Sequence, residues 1–110
     1  MTTEKDGIMA RALNPADLLS YQEGAVISRT LIDKKVGTIT VFAFAEGEGL
    51  SEHTAPFDAF VQIIDGTAEI TIAGVGHIIE AGQIIILPAN QPHALRALTQ
   101  FKMLLVMIRA

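Results

Sequence analysis

The sequence contains no cysteine. This absence excludes a disulfide framework, a thiolate nucleophile and any zinc or iron–sulfur site held by cysteine. Basic residues are also few, because 8 Lys and Arg stand against 12 Asp and Glu, which gives a formal net charge of -4. Nucleic-acid binding needs clustered cations that neutralise phosphates, so we expect no nucleic-acid partner.

Long apolar runs are absent as well. The longest, such as Met103 to Ile108, have the length of a strand, whereas a membrane helix needs roughly 18 apolar residues. The N-terminus carries Glu4, Lys5, Asp6 and Arg11 with no apolar stretch between them, unlike a secretory signal. We therefore expect a cytoplasmic protein with no membrane partner. No glycine-rich phosphate loop is present, and we expect no nucleotide or haem cofactor.

What is present favours one domain with a substantial core. The chain has 110 residues, of which 50% are hydrophobic and 18% are charged. We expect a lead-in with a short helix over residues 1–23 and a single barrel domain over residues 24–110. Asn14 can cap the helix, Pro15 suits its first position and Asp17 its first turn, which predicts a helix over Pro15–Leu19.

The rest of the chain alternates with period two, which is typical of strands with one buried face. Asp65-Gly66 is a two-residue turn signal, so the flanking segments are predicted to form a hairpin. Turns follow at Gly74–Gly76, at Ala81-Gly82 and in the loop from Pro88 to Gln91. The predicted strands are Ala25–Ile32, Thr38–Ala45, Asp58–Ile64, Thr67–Ala73, Ile84–Leu87, Pro92–Ala97 and Phe101–Ile108. The pattern predicts an all-β sandwich or barrel.

Some predicted strands are apolar on both faces. In the last strand, Met103 and Met107 lie on one face, opposite Leu104 and Val106 on the other. A small barrel buries only its inner face, so the outer residues need a second sheet of the same chain or a second subunit. We expect a homodimer, with packing inside one chain as the alternative, and Met103 and Met107 as core or dimer contacts.

Two histidines lie in distinctive surroundings. His53 stands in Gly47-Glu48-Gly49-Leu50-Ser51-Glu52-His53-Thr54-Ala55-Pro56-Phe57-Asp58-Ala59, with Gly66 beyond the next strand. His93 stands in Gly82-Gln83-Ile84-Ile85-Ile86-Leu87-Pro88-Ala89-Asn90-Gln91-Pro92-His93. These stretches resemble the two motifs of the cupin superfamily, in which one contains Gly, His-x-His, Glu and Gly and the other Gly, Pro-x-Gly, His and Asn. The third histidine, His77, is expected to be an exposed strand residue.

The spacing of the motif residues agrees with the family, but several of the residues themselves are replaced. Ala55 takes the place of the second histidine of the first motif, and Ala59 that of its glutamate. In the second motif, Asn90 replaces the glycine and Ala97 the asparagine. The resemblance implies an all-β, cupin-like double-stranded β-helix, a jelly-roll barrel, with the short N-terminal helix in addition. It also implies a metal site, which this chain retains only in reduced form.

The resemblance places a pocket inside the barrel. Its expected lining is His53, Ala55, Ala59, Val61, Ile63 and His93, with Ile70 and Leu95 behind. A divalent transition metal (Fe, Mn, Ni, Zn or Cu) would be held by His53 and His93, and imidazole suits these metals. Asp58 is the candidate third ligand, although strand alternation turns it away from the pocket, and Glu48, Glu52 and Gln91 lie nearby.

Two functions are compatible with this pocket. One is a small stand-alone cupin barrel that binds a small, partly apolar molecule, since the alanines make the cavity more apolar. The other is a metal-dependent enzyme, such as a dioxygenase, an isomerase or a lyase, that uses His53 and His93. A third possibility is assembly through the apolar outer faces alone.

Overall fold

The computed structural model of this protein describes residues 7–109. Within this range the chain contains a short 3₁₀ helix and nine strands, and Gly7 and Ile8 are also helical. No helix in that part of the chain has the length and apolar character needed to cross a membrane. The helix spans Pro15–Asp17, and the strands are β1 (Val26–Lys34), β2 (Gly37–Phe44), β3 (Gly49–His53), β4 (Ala59–Asp65), β5 (Thr67–Ile72), β6 (Val75–Glu80), β7 (Ile84–Leu87), β8 (His93–Ala97) and β9 (Phe101–Ile108).

The strands form two antiparallel sheets. The larger sheet has the order β1-β2-β9-β4-β7, and the smaller sheet has the order β3-β8-β5-β6. Neighbours in a sheet are often distant in sequence, because the chain passes repeatedly from one sheet to the other, as in a jelly roll. The predicted all-β jelly-roll fold is therefore confirmed.

The core lies between the two sheets. Phe44 of β2 and Phe101 of β9 are cross-strand partners whose rings stack with centroids 4.4 Å apart. Val61 and Ile63 of the larger sheet and Ile70 of the smaller sheet are also fully buried. Each such aliphatic side chain stabilises the fold by about 1.5–3 kcal/mol. The inward residues of both sheets thus hold the barrel closed.

The predicted hairpin between Asp58–Ile64 and Thr67–Ala73 is wrong. β4 pairs with β7 and β9 in the larger sheet, whereas β5 pairs with β6 and β8 in the smaller one. Gly66 between them has a φ of 77°, and a Cβ there would collide with the carbonyl oxygen of Gln100. The dipeptide therefore marks a sharp bend that carries the chain from one sheet to the other, and long-range contacts decide the pairing.

The predicted N-terminal helix is correct at its start and too long. The Asn14 side chain accepts a hydrogen bond from the backbone N–H of Ala16 at 3.2 Å, as an N-cap does. The helix ends after one turn, and side chains of the barrel bind carbonyl groups in and just after it. Lys102 donates to the Ala16 carbonyl at 2.6 Å, and Arg29 donates to the Leu18 carbonyl at 3.1 Å.

The alternation of polar and apolar residues does not by itself predict strands β3 and β6. β3 is a largely exposed strand with a polar sequence, and so lacks the clear buried face of the others. The turn before β6 lies at Ala73-Gly74, where both residues have positive φ, rather than at Gly74–Gly76. His77 lies on β6, as expected for a strand residue, but it is half-buried rather than exposed.

The segment before β1 packs on the outer face of the larger sheet. Ile8 and Leu18 line a groove together with Ile39 and Leu104 of the sheet. Val41, the cross-strand partner of Leu104, is 1% exposed although it points outward. Part of the lead-in thus contacts the sheet, although most of residues 9–17 are exposed. Residues 1–6 lie outside the described part.

We predict that Gly66→Ala is markedly more destabilising than Gly74→Ala. Both glycines have positive φ, of 77° and 82°, but only Gly66 faces a backbone atom that a methyl group would meet. Strain alone costs about 1 kcal/mol at Gly74, whereas strain plus collision costs about 2–4 kcal/mol at Gly66. Urea denaturation measures both values, and equal losses would contradict the steric role of Gly66.

Candidate functional site

His53 and His93 form a cross-strand pair at one end of the smaller sheet. His53 ends β3, His93 begins β8, and the strand register places them opposite each other. Cross-strand partners bring their Cβ atoms to about 4.5–5.5 Å, so strand pairing by itself brings the imidazoles together. The rings meet edge to face, with centroids 4.3 Å apart and an interplanar angle of 69°.

In each ring, the Nδ1 atom is hydrogen-bonded to a backbone carbonyl group. Nδ1 of His53 lies 2.8 Å from the carbonyl oxygen of Ser51, and Nδ1 of His93 lies 3.3 Å from that of Gln91. A carbonyl oxygen can only accept a hydrogen bond, so Nδ1 carries a proton in both rings. In a neutral imidazole of this tautomer, Nε2 bears a free lone pair.

The two Nε2 atoms face each other at 3.1 Å. If both rings are neutral, each directs a lone pair into this gap, and the two lone pairs repel. A proton on either Nε2 replaces the repulsion by an N–H···N hydrogen bond. A metal cation that contacts both nitrogens also removes the repulsion, because both lone pairs then face positive charge. The gap between the imidazoles is therefore a site for positive charge.

Burial disfavours the charged form of one of the two rings. His93 is only 6% exposed, whereas His53 lies at the surface. Burial lowers the pKa of His93 below its usual value, and the charge of His53 lowers this pKa further, against a smaller opposing effect of the hydrogen bond to Gln91. Protonation of His93 is therefore less favourable than protonation of an imidazole in water.

The imidazoles form part of the wall of a cavity of about 60 Å³ between the sheets. The remaining lining is apolar and comes from both sheets: Leu50, Ala55, Ala59, Val61, Leu87, Leu95, Met103, Leu105 and Met107. A buried water occupies about 10–15 Å³ by this measure, so the cavity has room for about four to six waters or for a ligand of similar size.

The structure brings most of the expected pocket residues together around this cavity, namely His53, Ala55, Ala59, Val61 and His93. Ile63 does not line it, because this side chain belongs to the solid core. Ile70 is likewise a core residue, while Leu95 lines the cavity directly instead of lying behind it.

Asp58 is not brought to the histidines. Its carboxylate accepts a hydrogen bond from the backbone N–H of Ala89 at 2.8 Å, and its side chain is exposed. Ala59 points into the cavity, so the preceding residue points away from it. Glu48, Glu52 and Gln91 do not line the cavity either.

Comparison with known proteins agrees with this architecture. The family model described as "Cupin domain" matches residues 40–109, which is more than half of the chain. This chain belongs to the cupin family. No curated protein matches the sequence.

Several solved cupin structures are similar to this cupin. A conserved Streptococcus pyogenes protein of unknown function is 38% identical, with 92% of this chain and 89% of that chain covered and a TM-score of 0.88. A cupin superfamily protein from Desulfitobacterium hafniense is 30% identical, with 92% and 93% covered and a TM-score of 0.87. A cupin 2 conserved barrel domain protein from Leptotrichia buccalis is 38% identical over 84% of this chain and 45% of that chain, with a TM-score of 0.82.

Asn90 of the second cupin motif adopts a left-handed backbone conformation. Asn90, which replaces the glycine, has a φ of 64°, and asparagine tolerates this left-handed conformation better than most residues. Its backbone N–H donates to the Ala55 carbonyl at 2.7 Å. The loop before β8 is thereby fastened to the segment after β3, which fixes the ends of both strands beside the histidines.

The residues present do not fit the full cupin metal site. Within residues 7–109 no group of three or more His, Asp or Glu side chains is placed to hold one ion. Ala55 and Ala59 line the cavity where the resemblance expects a histidine and a glutamate. Two imidazoles without a carboxylate bind a divalent ion weakly.

Sequence reasoning missed the contribution of β9 to the cavity. Met103, Leu105 and Met107 line it, and Met107 is the cross-strand partner of Ala59. The alternation of β9 indicates that these residues share one face. That β9 pairs with β4, however, is a long-range contact that has no local signal in the sequence.

We predict that the free energy of unfolding falls as the pH drops below the ordinary histidine pKa of 6.5. The unfolded chain binds a proton at His93 near that value, whereas the folded chain binds it only at a lower pH, so acid favours unfolding until the folded pKa is passed. In the His93→Gln variant the decrease is smaller. Urea unfolding at about pH 7.5 and about pH 5.5 measures it, and identical decreases in both proteins would show that His93 is not responsible.

Proposed function

We propose that this cupin binds a small organic acid of about four to six non-hydrogen atoms inside its barrel. The acid group would lie at His53 and His93, and the apolar part would fill the rest of the cavity. The observation that supports this proposal is the facing imidazole pair in the wall of an otherwise apolar cavity.

The charge state of the pair explains why an acid is favoured. A carboxylate that enters the cavity stabilises the protonated form of the pair and therefore brings one proton with it. The resulting imidazolium donates an Nε2–H hydrogen bond to the carboxylate, and such charge-assisted bonds are short and strong. Both Nδ1 atoms stay on their backbone carbonyls, so the rings need not rotate.

The apolar walls provide the remaining affinity and the size limit. Val61, Leu105 and Met103 offer surface to an aliphatic chain, and each buried CH₂ group contributes about 0.8 kcal/mol. A bulkier acid would have to displace these side chains from a closely packed interior. The cavity therefore selects for short, unbranched ligands.

Butyrate is a suitable probe of this proposal. We expect it to shift the NMR signals of both imidazoles and to bind more tightly at about pH 5.5 than at about pH 7.5, because binding takes up a proton. Ala59→Leu should abolish the binding, because the added side chain fills the cavity. Ala94→Leu is the matched control, since Ala94 neighbours His93 on β8 but points to the other side of the strand.

Loss of binding in the control, or binding that does not depend on pH, would contradict this assignment. Circular dichroism of each variant shows whether it is folded. His93→Gln provides a further check, because it removes one of the two imidazoles that can take up the proton while leaving the cavity open.

A second candidate function is metal-dependent catalysis, as a dioxygenase, an isomerase or a lyase. The observation that favours it is the Nδ1–H···O=C hydrogen bond of each ring, which is the orienting contact that metal-bound histidines usually make. Near-stoichiometric Fe, Mn, Ni, Zn or Cu in protein purified without a metal-affinity tag, lost in the His53→Ala/His93→Ala variant, would support this function. Trace metal in both proteins would exclude it.

We further propose that the chain forms a homodimer through the outer face of the larger sheet. Val106, Phe60 and Ile86 form a cross-strand row over β9, β4 and β7 on that face. Ile86 is 49% exposed, and Ile84 and Ile108 on the same sheet are more exposed still. The N-terminal segment covers the other half of this face, over β1 and β2, so the uncovered half remains for a second copy.

We predict that Ile86→Glu converts the dimer into a monomer. The carboxylate would be buried without a partner in the interface, whereas in a monomer it stays in water. Val75→Glu is the control, because Val75 is also exposed but lies on β6 of the other sheet. Light scattering coupled to size exclusion measures the mass, and a monomeric parent protein or a dimeric Ile86→Glu variant would contradict the proposal.

A further inference from the structure

We propose that Asp58 is a positioning residue for the histidine pair. Its carboxylate fixes the loop over residues 88–92 (the His93 loop), and the Gln91 carbonyl of this loop orients the His93 ring. This inference deepens the proposed function and rests on it, since the imidazoles are the anchor of the ligand. It gives Asp58 a role outside the cavity instead of a role as a ligand inside it.

The first support is the hydrogen bond of the Asp58 side chain. Its Oδ1 atom accepts the backbone N–H of Ala89 at 2.8 Å, and hydrogen bonds to an ionised carboxylate are stronger than those to a neutral acceptor. The next amide of the His93 loop, that of Asn90, donates to the Ala55 carbonyl at 2.7 Å. Two consecutive amides of the loop are thus bound to the segment after β3. Only the bond to Asp58 uses a side chain, so a substitution can remove it alone.

The second support is the short path from this bond to the His93 ring. Ala89 lies two residues before Gln91, whose carbonyl oxygen is 3.3 Å from Nδ1 of His93. The corresponding contact of His53 is shorter, at 2.8 Å. Because hydrogen bonds weaken steeply beyond about 3.2 Å, the contact of His93 is the one that a small movement would break. A shift of the His93 loop would therefore release this ring.

The third support is the fixed position of Asp58 itself. It directly precedes Ala59, which has a strand partner on each side, Leu87 of β7 and Met107 of β9. Successive side chains point to opposite sides of a strand. Ala59 therefore lines the cavity, whereas Asp58 lies outside it and reaches the His93 loop. One end of β4 thus shapes the cavity and holds the loop at the same time.

Release of the His93 ring would change what the pair can bind. With the Gln91 carbonyl in place, the neutral ring carries its proton on Nδ1 and directs the Nε2 lone pair at His53. Without that carbonyl, the proton is free to move to Nε2, because the hydrogen bond of one ring nitrogen determines which nitrogen is protonated. The two lone pairs that take up the proton of the acid would then no longer be held face to face.

The test is ¹⁵N NMR of the imidazoles in the full chain without ligand at about pH 8, well above the ordinary histidine pKa. We expect His93 to carry its proton on Nδ1 in the parent protein and to be a mixture of both tautomers in Asp58→Ala. Asp58→Asn should keep the parent tautomer, because its amide oxygen can still accept the Ala89 N–H. Glu52→Ala is the matched control, because it removes an exposed carboxylate next to His53 in the sequence and leaves the bond between Asp58 and Ala89 intact.

Butyrate affinity provides a second readout. Asp58→Ala should weaken the binding by about tenfold, which corresponds to the loss of about one hydrogen bond, and Asp58→Asn should restore most of the affinity. An unchanged His93 tautomer in Asp58→Ala would overturn the inference. The same tautomer change in Asp58→Asn or in Glu52→Ala would also overturn it, because the effect would then be due to the lost charge instead of the hydrogen bond.

Amide hydrogen exchange of the unmodified protein tests the contact without any variant. We expect the Ala89 amide to be protected although it lies in a loop, because it donates to the Asp58 carboxylate. Exchange at the rate of an unprotected amide would overturn the inference, even if Asp58→Ala does not fold.

Failure of this inference can be told apart from failure of the proposed function. A tautomer change in Asp58→Ala, together with no butyrate binding to the parent protein, supports the positioning role and overturns the organic-acid ligand. Butyrate binding that depends on the histidines, together with an unchanged tautomer in Asp58→Ala, overturns the positioning role and leaves the acid-binding function standing.

Discussion

The pairing of β3 with β8 is the contact on which the site depends, because it sets His53 directly opposite His93. Side chains alternate along a strand, so a slip of one residue would turn one imidazole to the outside of the barrel. The register shifts between Leu50 and His53, which lets the end of β3 reach this alignment. The loop before β8 holds the same alignment, since Asn90 donates to the Ala55 carbonyl.

Once the imidazoles face each other, their surroundings decide their chemistry. Backbone carbonyls occupy both Nδ1 atoms, and burial disfavours the charged form of His93. The two Nε2 lone pairs therefore face each other beside an apolar cavity. Only a proton or a cation between them removes their repulsion. Ala55 and Ala59 are as important as the histidines, because larger side chains there would fill the cavity.

On the outer side of the barrel, the N-terminal segment covers part of the apolar surface and leaves the rest exposed. The N-terminal segment is fastened by Lys102 and Arg29, and Tyr21 donates a hydrogen bond to Asp65. Burial together with the hydrogen bond and charge of Asp65 raises the pKa of Tyr21, so its hydroxyl keeps the proton that it donates. The segment thereby shields β1 and β2, whereas the apolar row on β4, β7 and β9 stays open.

The sequence by itself determined the all-β class, most strand positions, the Asn14 cap and the two histidines that meet. These depend on local alternation, on capping chemistry and on motif spacing, which are visible within a few residues. Only the tertiary structure decided that Asp65-Gly66 crosses between sheets, that Asp58 points away and that Met107 joins the cavity through its pairing with Ala59. Which strands pair depends on contacts between residues that are far apart in the chain. Burial and register together determine these contacts, so no local sequence pattern predicts them.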